Sequence, residues 1–252
     1  MKFVAIIPAR YESKRFLGKP LVDMNGKTMI QRVYEQVNKS IVDVYVATDD
    51  ERIYKAVESF GGKVVMTSTE HRSGTDRCNE AYNKIEESFD VVINIQGDEP
   101  FLLPEQIDLL KNCFVDDDVE IATLVKPFEQ KDGFDALQNP SSPKVVLSEK
   151  SEAIYFSRSV IPYLRDVKKE EWLNHHVFYK HIGIYGYRTD VLKKITELSV
   201  GILEKAESLE QLRWMENGFK IKAGITTHET IGVDTPEDLQ NALQYLHRNE
   251  RE

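Results

Sequence analysis

The first 125 residues alternate short apolar runs with segments of helical periodicity, and this alternation is the feature that most constrains the fold. In the segment 29–39, for example, Met29, Ile30 and Val33 lie on one helical face. Buried strands that alternate with helices form parallel sheets covered on both faces. The pattern therefore predicts an α/β fold, a mostly parallel sheet with helices on both faces. Predicted strands lie at 3–7, 44–48, 63–67, 91–95 and 120–125, and predicted helices at 29–39, 50–60, 74–88 and 104–114.

The alternation of strands and helices ends after residue 125. A polar connection at 126–142 is followed there by strand-like runs without full helices between them. A long polar stretch at 166–176 interrupts those runs. We therefore predict a single domain, 1–252, with a small inserted β-rich lobe at about 126–200 that covers one edge of the sheet. The remaining predicted elements are strands at 144–147, 153–156, 181–188 and 219–226 and helices at 208–217 and 235–248.

The charge balance favours a small anionic ligand over a polymer or a membrane. The chain has 33 basic and 42 acidic residues, a net charge of −9, whereas an extended nucleic-acid footprint needs a basic stripe. No apolar run approaches the roughly 18 residues that span a bilayer. A strand begins within three residues of the start, without a charged and then apolar leader. We therefore expect a cytoplasmic protein that binds neither nucleic acid nor membrane.

A basic loop, PARYESKRFLGKP at 8–20, follows directly on the first predicted strand. Ligands of such sheets bind beyond the carboxyl ends of the strands. A curled loop could turn Arg10, Arg15 and Lys19 inward, where charge-assisted bonds would hold phosphate oxygens. Gly18 would let the backbone approach a phosphate closely. On charge pattern alone, a solvated loop is the other interpretation.

Two aspartates are candidate metal ligands. Asp98, in QGDEP at 96–100, follows the most apolar strand, and a carboxylate there is costly unless a cation meets it. Mg²⁺ takes oxygen ligands and shares them with substrate phosphates. Asp234, in GVDTP, precedes a helix, and with Asp98 it would complete a two-metal arrangement for displacement at phosphorus. Each residue alone also fits a plain role, Asp98 in a turn and Asp234 at a helix start.

Nine stretches of this sequence, taken in order, resemble the 3-deoxy-manno-octulosonate (Kdo) cytidylyltransferase family. They cover nearly the whole chain: IIPARYESKRFLGKPLVDMNGK, VYVATDDERI, HRSGTDRCNEA, VVINIQGDEP, KVVL, AIYFSRSVIP, HIGIYGYR, SLEQLRW and GVDTPEDL. The basic loop and QGDEP point only to the broader nucleotidyltransferase group. The combination of HIGIYGYR with SLEQLR narrows the resemblance to this family. Similar sequences usually have Pro where Leu17 stands, and 142–144 is also atypical here.

The resemblance implies a Rossmann-like nucleotidyltransferase fold and a reaction. CTP and Kdo would give CMP-Kdo and pyrophosphate with the help of Mg²⁺. The product is the activated sugar for lipopolysaccharide biosynthesis, which implies a cytoplasmic enzyme. Similar enzymes are homodimers joined through the inserted lobe.

The resemblance also implies roles for individual residues. Arg10, Arg15 and Lys19 would hold the triphosphate, and Arg72, Ser73 and Arg77 would help to seat the cytosine end. Asp98 and Asp234 would bind the metals, so that the catalytic set would be Arg15, Lys19, Asp98 and Asp234. The sugar pocket would be lined by Gln96, Arg158, His181, Tyr185, Glu210 and Gln211.

Other interpretations stay open at the level of sequence. The sugar could be another acidic one, similar to sialic acid or an amino-substituted Kdo. A glycosyltransferase would need a D-x-D motif after a central strand, which QGDEP does not supply. A non-catalytic nucleotide-binding module would not need both Asp98 and Asp234. Arg158 could be a surface arginine, His181 a packed core histidine, and Glu210 with Gln211 ordinary helix residues.

Overall fold

A computed structural model describes residues 1–12 and 16–249. The described residues form two compact units, the first from the ranges 1–108 and 230–249 and the second from 109–229. Within these residues no helix is long and apolar enough to cross a membrane. The strands are β1 Phe3–Ala9, β2 Val44–Thr48, β3 Lys63–Met66, β4 Val91–Asn94, β5 Ile121–Pro127, β6 Lys144–Leu147, β7 Ala153–Ser157, β8 Tyr179–Arg188 and β9 Ile221–Ile225. The helices are α1 Met29–Val37, α2 Glu51–Ser59, α3 Gly74–Lys84, α4 Pro104–Asn112, α5 Gly133–Gln138, α6 Trp172–His175, α7 Thr189–Thr196, α8 Ile202–Glu207, α9 Gln211–Glu216 and α10 Pro236–Asn249.

The first unit contains a parallel sheet in the order β3-β2-β1-β4. Its central strand β1 is buried between two neighbours, and Val4, Ala5, Ile6 and Ile7 are fully inaccessible to solvent. Such continuous apolar runs are expected of strands that are covered on both faces. The α/β fold class predicted from the sequence is confirmed.

Side-chain caps start the helices that follow the strands of this unit. The side chains of Thr28, Asp50 and Ser73 accept bonds from backbone N–H groups in the first turns of α1, α2 and α3. The predicted helix at 74–88 ends early, at Lys84. Phe89 folds back into the interior instead, where its backbone bonds to the Tyr82 hydroxyl.

The second unit contains a mixed sheet. β5 pairs with β8 in antiparallel and with β9 in parallel orientation, and β6 pairs in antiparallel orientation with β7 and β8. All the strands predicted after residue 125 are present, and β8 is longer than predicted because it begins at Tyr179. The range predicted for an inserted lobe, 126–200, falls inside this unit.

Several helices of the second unit were not predicted. The segments at 126–142 and 166–176, predicted as polar connections, contain α5 and α6, because Leu137, Trp172 and Phe178 pack into a buried apolar cluster. Helices α7 and α8 were missed. The helix predicted at 208–217 begins only at Gln211, because Ser208 adopts a left-handed conformation, with φ of 52°, that ends α8.

Candidate active site

Three charged side chains of the first unit converge on one point. The Lys19 Nζ lies 2.6 Å from Asp98 Oδ2 and 2.9 Å from Asp234 Oδ1. The lysine side chain is 13% exposed, while those of Asp98 and Asp234 are 27% and 40% exposed. The site is therefore a partly sheltered group of two carboxylates around one ammonium, and solvent reaches it mainly from the Asp234 side.

Gly18 and its neighbours aim Lys19 at the two carboxylates. Gly18 adopts a φ of 70°, which only glycine adopts at little cost, and Lys19 then begins a short 3₁₀ turn. The Gly18 N–H donates to the Tyr11 carbonyl at 2.9 Å, and a Cβ on Gly18 would lie only 3.1 Å from the Tyr11 ring. Leu17 is 66% exposed, so the departure from Pro at this position lies on the surface.

Asp98 is held by the close approach of two strand ends. A Cβ on Gly97 would lie 3.1 Å from the Pro8 carbonyl oxygen, so glycine lets the loop after β4 pass close to the end of β1. The backbone carbonyl of Asp98 accepts a bond from the Val233 N–H at 2.9 Å. That bond ties the loop after β4 to the segment that carries Asp234.

Asp234 is held by the start of α10. The Asp238 carboxylate accepts bonds from the backbone N–H groups of Asp234 and Thr235, at 3.1 and 2.9 Å, and from the Thr235 hydroxyl. Val233 packs into an apolar cluster with Met24, which fixes this segment against the interior. The Asp234 position, predicted as a helix start signal or a metal ligand, thus lies at a helix start and also beside Lys19.

Lys19 is charged at neutral pH. Burial lowers the pKa of Lys19, but the charges of Asp98 and Asp234 and their hydrogen bonds together raise it by more. The pKa of Lys19 therefore lies above its ordinary value. An ammonium held between two carboxylates offsets the repulsion that two neighbouring negative charges would otherwise have. The carboxylates are therefore gathered around a positive charge before any ligand binds.

Arg10 extends from the end of β1 and is 43% exposed. Its Nε donates to Asp49 Oδ2 at 3.2 Å, and its Nη2 donates to the Thr69 carbonyl at 2.7 Å. Asp49 was not assigned a role from the sequence, although the pair of aspartates in VYVATDDERI directly after β2 was a usable signal. The third predicted triphosphate residue, Arg15, lies outside the described residues.

The segment predicted to seat the cytosine end lies at the start of α3. Arg72 is exposed, and the Ser73 hydroxyl oxygen accepts a bond from the Asp76 N–H at 3.1 Å, which caps the helix. Arg77 is only 1% exposed and donates to Thr67 Oγ1 at 2.5 Å and to Asp49 Oδ2 at 2.6 Å. Ser73 and Arg77 thus both make contacts within the protein.

Five of the six predicted sugar residues lie in the second unit, and Gln96 lies in the first, partly buried after β4. Arg158 follows β7, and all three of its side-chain nitrogens donate to backbone carbonyls. Nε bonds to the carbonyl of Glu207 at 2.6 Å, Nη1 to that of Pro140 at 2.8 Å, and Nη2 to that of Ser208 at 3.1 Å. Arg158 therefore ties together three loops of its own unit.

His181 and Tyr185 lie on the same strand, β8, with ring centroids 5.3 Å apart. The His181 Nε2 lies 3.1 Å from Thr123 Oγ1, and the ring packs edge-on against Phe156. Burial lowers the pKa of His181 to about 4 and raises the pKa of Tyr185 well above its ordinary value. Both side chains are therefore neutral at physiological pH, so they offer a ligand hydrogen-bonding groups but no charge.

Glu210 and Gln211 begin α9. Glu210 Oε1 accepts a bond from Arg213 Nη2 at 2.7 Å. Gln211 is 4% exposed, and its Nε2 has no hydrogen-bond partner in the part of the chain that the structure describes. A buried amide donor without a partner costs about 1–3 kcal/mol, so its presence favours a bound ligand that would accept its hydrogen bond.

The low pKa of His181 gives an expected pH dependence of stability. On unfolding, the imidazole regains its ordinary pKa of 6.5, so between pH 6.5 and about 4 the unfolded chain binds a proton that the folded chain does not. Stability therefore falls as the pH falls through this window, with a slope of at most about 1.4 kcal/mol per pH unit from this one group. Urea unfolding followed by the fluorescence of the two buried tryptophans, Trp172 and Trp214, measures it.

The variant His181→Gln should show a shallower loss of stability over the same pH window, because its side chain does not titrate there. His175→Gln, which removes an exposed histidine from the same unit, is the matched control. If wild type and His181→Gln lose stability equally from pH 6.5 to 4, the histidine is not buried in its neutral form.

Comparison with known proteins adds independent findings. Residues 4–222 match the cytidylyltransferase family. The chain is 66% identical, over 98% of both chains, to 3-deoxy-manno-octulosonate cytidylyltransferase of Parabacteroides distasonis, and 60% identical, over the full length of both, to that of Phocaeicola vulgatus. A solved structure of CMP:2-keto-3-deoxy-manno-octonic acid synthetase complexed with CTP is 42% identical, with a TM-score of 0.90 over 99% of this chain and 100% of that one. The chain therefore belongs to the 3-deoxy-manno-octulosonate cytidylyltransferase family.

Proposed function

We propose that this chain transfers CMP from CTP to the anomeric hydroxyl of Kdo, giving CMP-Kdo and pyrophosphate. The observation that carries the proposal is the convergence of Lys19, Asp98 and Asp234 at the edge where parallel strands end. Ligands of such sheets bind at this edge. The site combines positive charge for a triphosphate with carboxylates for a metal ion. Relatives 60% and more identical over nearly the whole chain carry the name of this activity.

The two aspartates fit a magnesium ion. No group of three or more His, Cys, Asp or Glu side chains suited to a metal is found in 1–12 and 16–249. Mg²⁺, however, is commonly held by one or two carboxylates together with substrate phosphates and water. Asp98 and Asp234 each place an oxygen within 3 Å of the Lys19 Nζ, so the two carboxylates lie close enough together to share a metal ion. When bound there, the ion would neutralise phosphate charge and lower the pKa of the sugar hydroxyl.

The protein's own contribution to the transfer is positioning and electrostatics. The anomeric oxygen attacks the α-phosphorus in line, the bond to the pyrophosphate oxygen breaks, and the hydroxyl proton is lost to solvent. Lys19 is charged and held within the site, so it can form charge-assisted bonds with the triphosphate. Arg10 and Arg15 are proposed to hold the outer phosphates. Asp98, Asp234, Lys19 and Arg15 together form the proposed catalytic set.

For the sugar we propose Gln96, Arg158, His181, Tyr185, Glu210 and Gln211. Gln211 and Tyr185 have the strongest support, since the Gln211 Nε2 and the Tyr185 hydroxyl are buried without a hydrogen-bond partner among the described residues and a sugar could supply one. His181 is neutral and could bind a hydroxyl. Arg158 has N–H groups beyond the three that bond to carbonyls, and these could bind the sugar carboxylate. For the cytosine end we propose Arg72, Ser73 and Arg77, of which exposed Arg72 has the most freedom to reach a base.

We further propose a cytoplasmic homodimer that supplies lipopolysaccharide biosynthesis. The second unit exposes Ile154, Tyr163 and Val177, large apolar side chains that a second subunit would cover. The same unit has a cleft of about 480 Å³ lined by apolar residues such as Ile161 and Phe178. Light scattering on the purified chain measures its mass in solution, and the mass of a monomer would contradict the proposed dimer.

The cytoplasm is proposed as the location because CTP is a cytoplasmic nucleotide.

The sugar is tested by product identification. The chain is incubated with CTP, Mg²⁺ and one of three sugars: Kdo, an amino-substituted Kdo or a sialic acid. Phosphorus NMR then detects the phosphodiester of the CMP-sugar. We expect the Kdo product to form fastest. A faster reaction with either of the other sugars would make that sugar the substrate and would leave the nucleotide chemistry unchanged.

A further inference from the structure

We propose that Asp49 is a positioning residue. It holds Arg10 in the orientation in which Arg10 binds the triphosphate. The inference deepens the proposed function and rests on the role of Arg10 given there. Asp49 would not touch the nucleotide. It would act through Arg10, and it would itself be held by the buried Arg77.

Hydrogen bonds of Asp49 and Arg77 connect residues that follow three neighbouring strands. Asp49 directly follows β2, and its Oδ2 accepts a bond from Arg10 Nε at 3.2 Å and another from Arg77 Nη2 at 2.6 Å. Arg10 follows β1. Arg77 lies in α3 and also donates to Thr67, which follows β3, at 2.5 Å. The Asp49 carboxylate is therefore bound on one side by the buried Arg77, and on the other side it binds the exposed Arg10.

Burial keeps the ion pair between Arg77 and Asp49 rigid. Arg77 is 1% exposed and Asp49 is 10% exposed. Breaking a buried ion pair by removing one partner leaves an uncompensated charge in the interior, which is strongly unfavourable. Arg77 and Asp49 therefore stay paired, and the carboxylate presents Oδ2 to Arg10 in a fixed direction.

Two bonds then restrain Arg10 before ligand binds. In addition to Asp49, the carbonyl of Thr69 accepts a bond from its Nη2 at 2.7 Å. A guanidinium held at two of its nitrogens has lost most of its rotational freedom, so less conformational entropy remains to be lost when a phosphate binds. Since the guanidinium has five N–H donors, several remain for phosphate oxygens.

The charges of the group favour an anion at Arg10. A carboxylate beside a phosphate site would by itself repel the ligand. Here Arg77 offsets the charge of Asp49, so the three side chains carry a net single positive charge, located at the exposed Arg10. Asp49 can thus orient Arg10 without cancelling the attraction of the site for phosphate.

A double-mutant cycle tests the inference. CTP binding in the presence of Mg²⁺ is measured by calorimetry for wild type, Asp49→Asn, Arg10→Ala and the double variant. We expect Asp49→Asn to weaken CTP binding about tenfold, or ~1.4 kcal/mol. In the Arg10→Ala background the same change should have no further effect, because Asp49 acts only through Arg10. Asp50→Asn is the control, since Asp50 caps α2 and contacts Arg52 instead.

Other outcomes would overturn the inference. Equal weakening by Asp49→Asn with and without Arg10 would mean that Asp49 supports the fold rather than Arg10. Full CTP affinity in Asp49→Asn would mean that Arg10 meets the triphosphate without help from Asp49. If wild type itself does not bind CTP, the proposed function fails as well. If Asp49→Asn does not fold, Asp49→Glu, which keeps the charge for Arg77 but displaces the carboxylate by one methylene, is measured in the same cycle.

Discussion

Replacing Asp98 with Ala is expected to lower the turnover number for CMP-Kdo formation by about 10³-fold, whereas the fold should persist. Asp98 supplies one of two carboxylates around the proposed cation position, and loss of an electrostatic group at a phosphoryl-transfer centre typically costs 10²–10³ in rate. The backbone bond between the Asp98 carbonyl and Val233 does not depend on the side chain, so the local structure should survive. Steady-state kinetics at saturating substrates, together with circular dichroism, measures both parts.

Asp90→Ala is the matched control, because Asp90 lies just before β4 and Asp98 follows it beyond the opposite end. The Asp90 carboxylate accepts a bond from the Lys2 N–H at 2.6 Å and is far along the strand from Lys19. Its loss should leave turnover within a few-fold of wild type. Wild-type turnover in Asp98→Ala would exclude this residue as a metal ligand.

Lys19→Ala is expected to raise the KM for CTP by about 10–100-fold and to reduce turnover as well. The variant removes charge-assisted bonds to the triphosphate, each about twice as strong as a neutral hydrogen bond. It also leaves Asp98 and Asp234 facing each other without the ammonium that lies between them. Initial rates over a range of CTP concentrations, at saturating Kdo, separate the two effects.

Lys27→Ala controls for the loss of one positive charge near the start of the chain. Lys27 is 44% exposed and pairs with Glu35 on the surface, so its removal should leave the KM for CTP unchanged. The same CTP dependence in Lys19→Ala and wild type would show that the basic loop is only a solvated surface.

The fold of the first unit was predictable because local signals and tertiary structure agree there. The runs that predicted β1, β2 and β4 are apolar because these parallel strands are buried on both faces, and the caps of α1 to α3 occur in the sequence itself. The convergence of Lys19 with Asp98 followed from the rule that ligand sites lie at the carboxyl ends of strands. Asp234 was also a candidate metal ligand from the sequence, but a helix start explained its pattern equally well until the family resemblance was taken into account.

The second unit was less predictable because its helices are short and depend on tertiary contacts. Helices α5 and α6, of six and four residues, lie within stretches that are polar on average. They are held by Trp172 and Phe178, and no local sequence pattern shows that these two side chains are buried together. Helices this short are not stable from local propensity alone.

Side-chain partners were the least predictable part of the site. The assignment of Arg77 and Arg158 to ligands stays a prediction, but the sequence did not show that their guanidinium groups also bond to Asp49 and Thr67 in one case and to three backbone carbonyls in the other. A sequence shows that an arginine is present but not which acceptors the fold brings within its reach. The resemblance named Gln211, but only the structure shows that its Nε2 is buried without a hydrogen-bond partner among the described residues.

The central claim is tested most directly by pyrophosphate release from CTP with Mg²⁺, measured with and without Kdo and with ATP, UTP and GTP in place of CTP. We predict release that requires CTP and Kdo together and that is much slower with the other nucleotides. Release that does not depend on Kdo, or that is as fast with another nucleotide, would contradict the proposed transfer. No release under any of these conditions would contradict catalysis altogether and would favour a protein that binds nucleotide without turning it over.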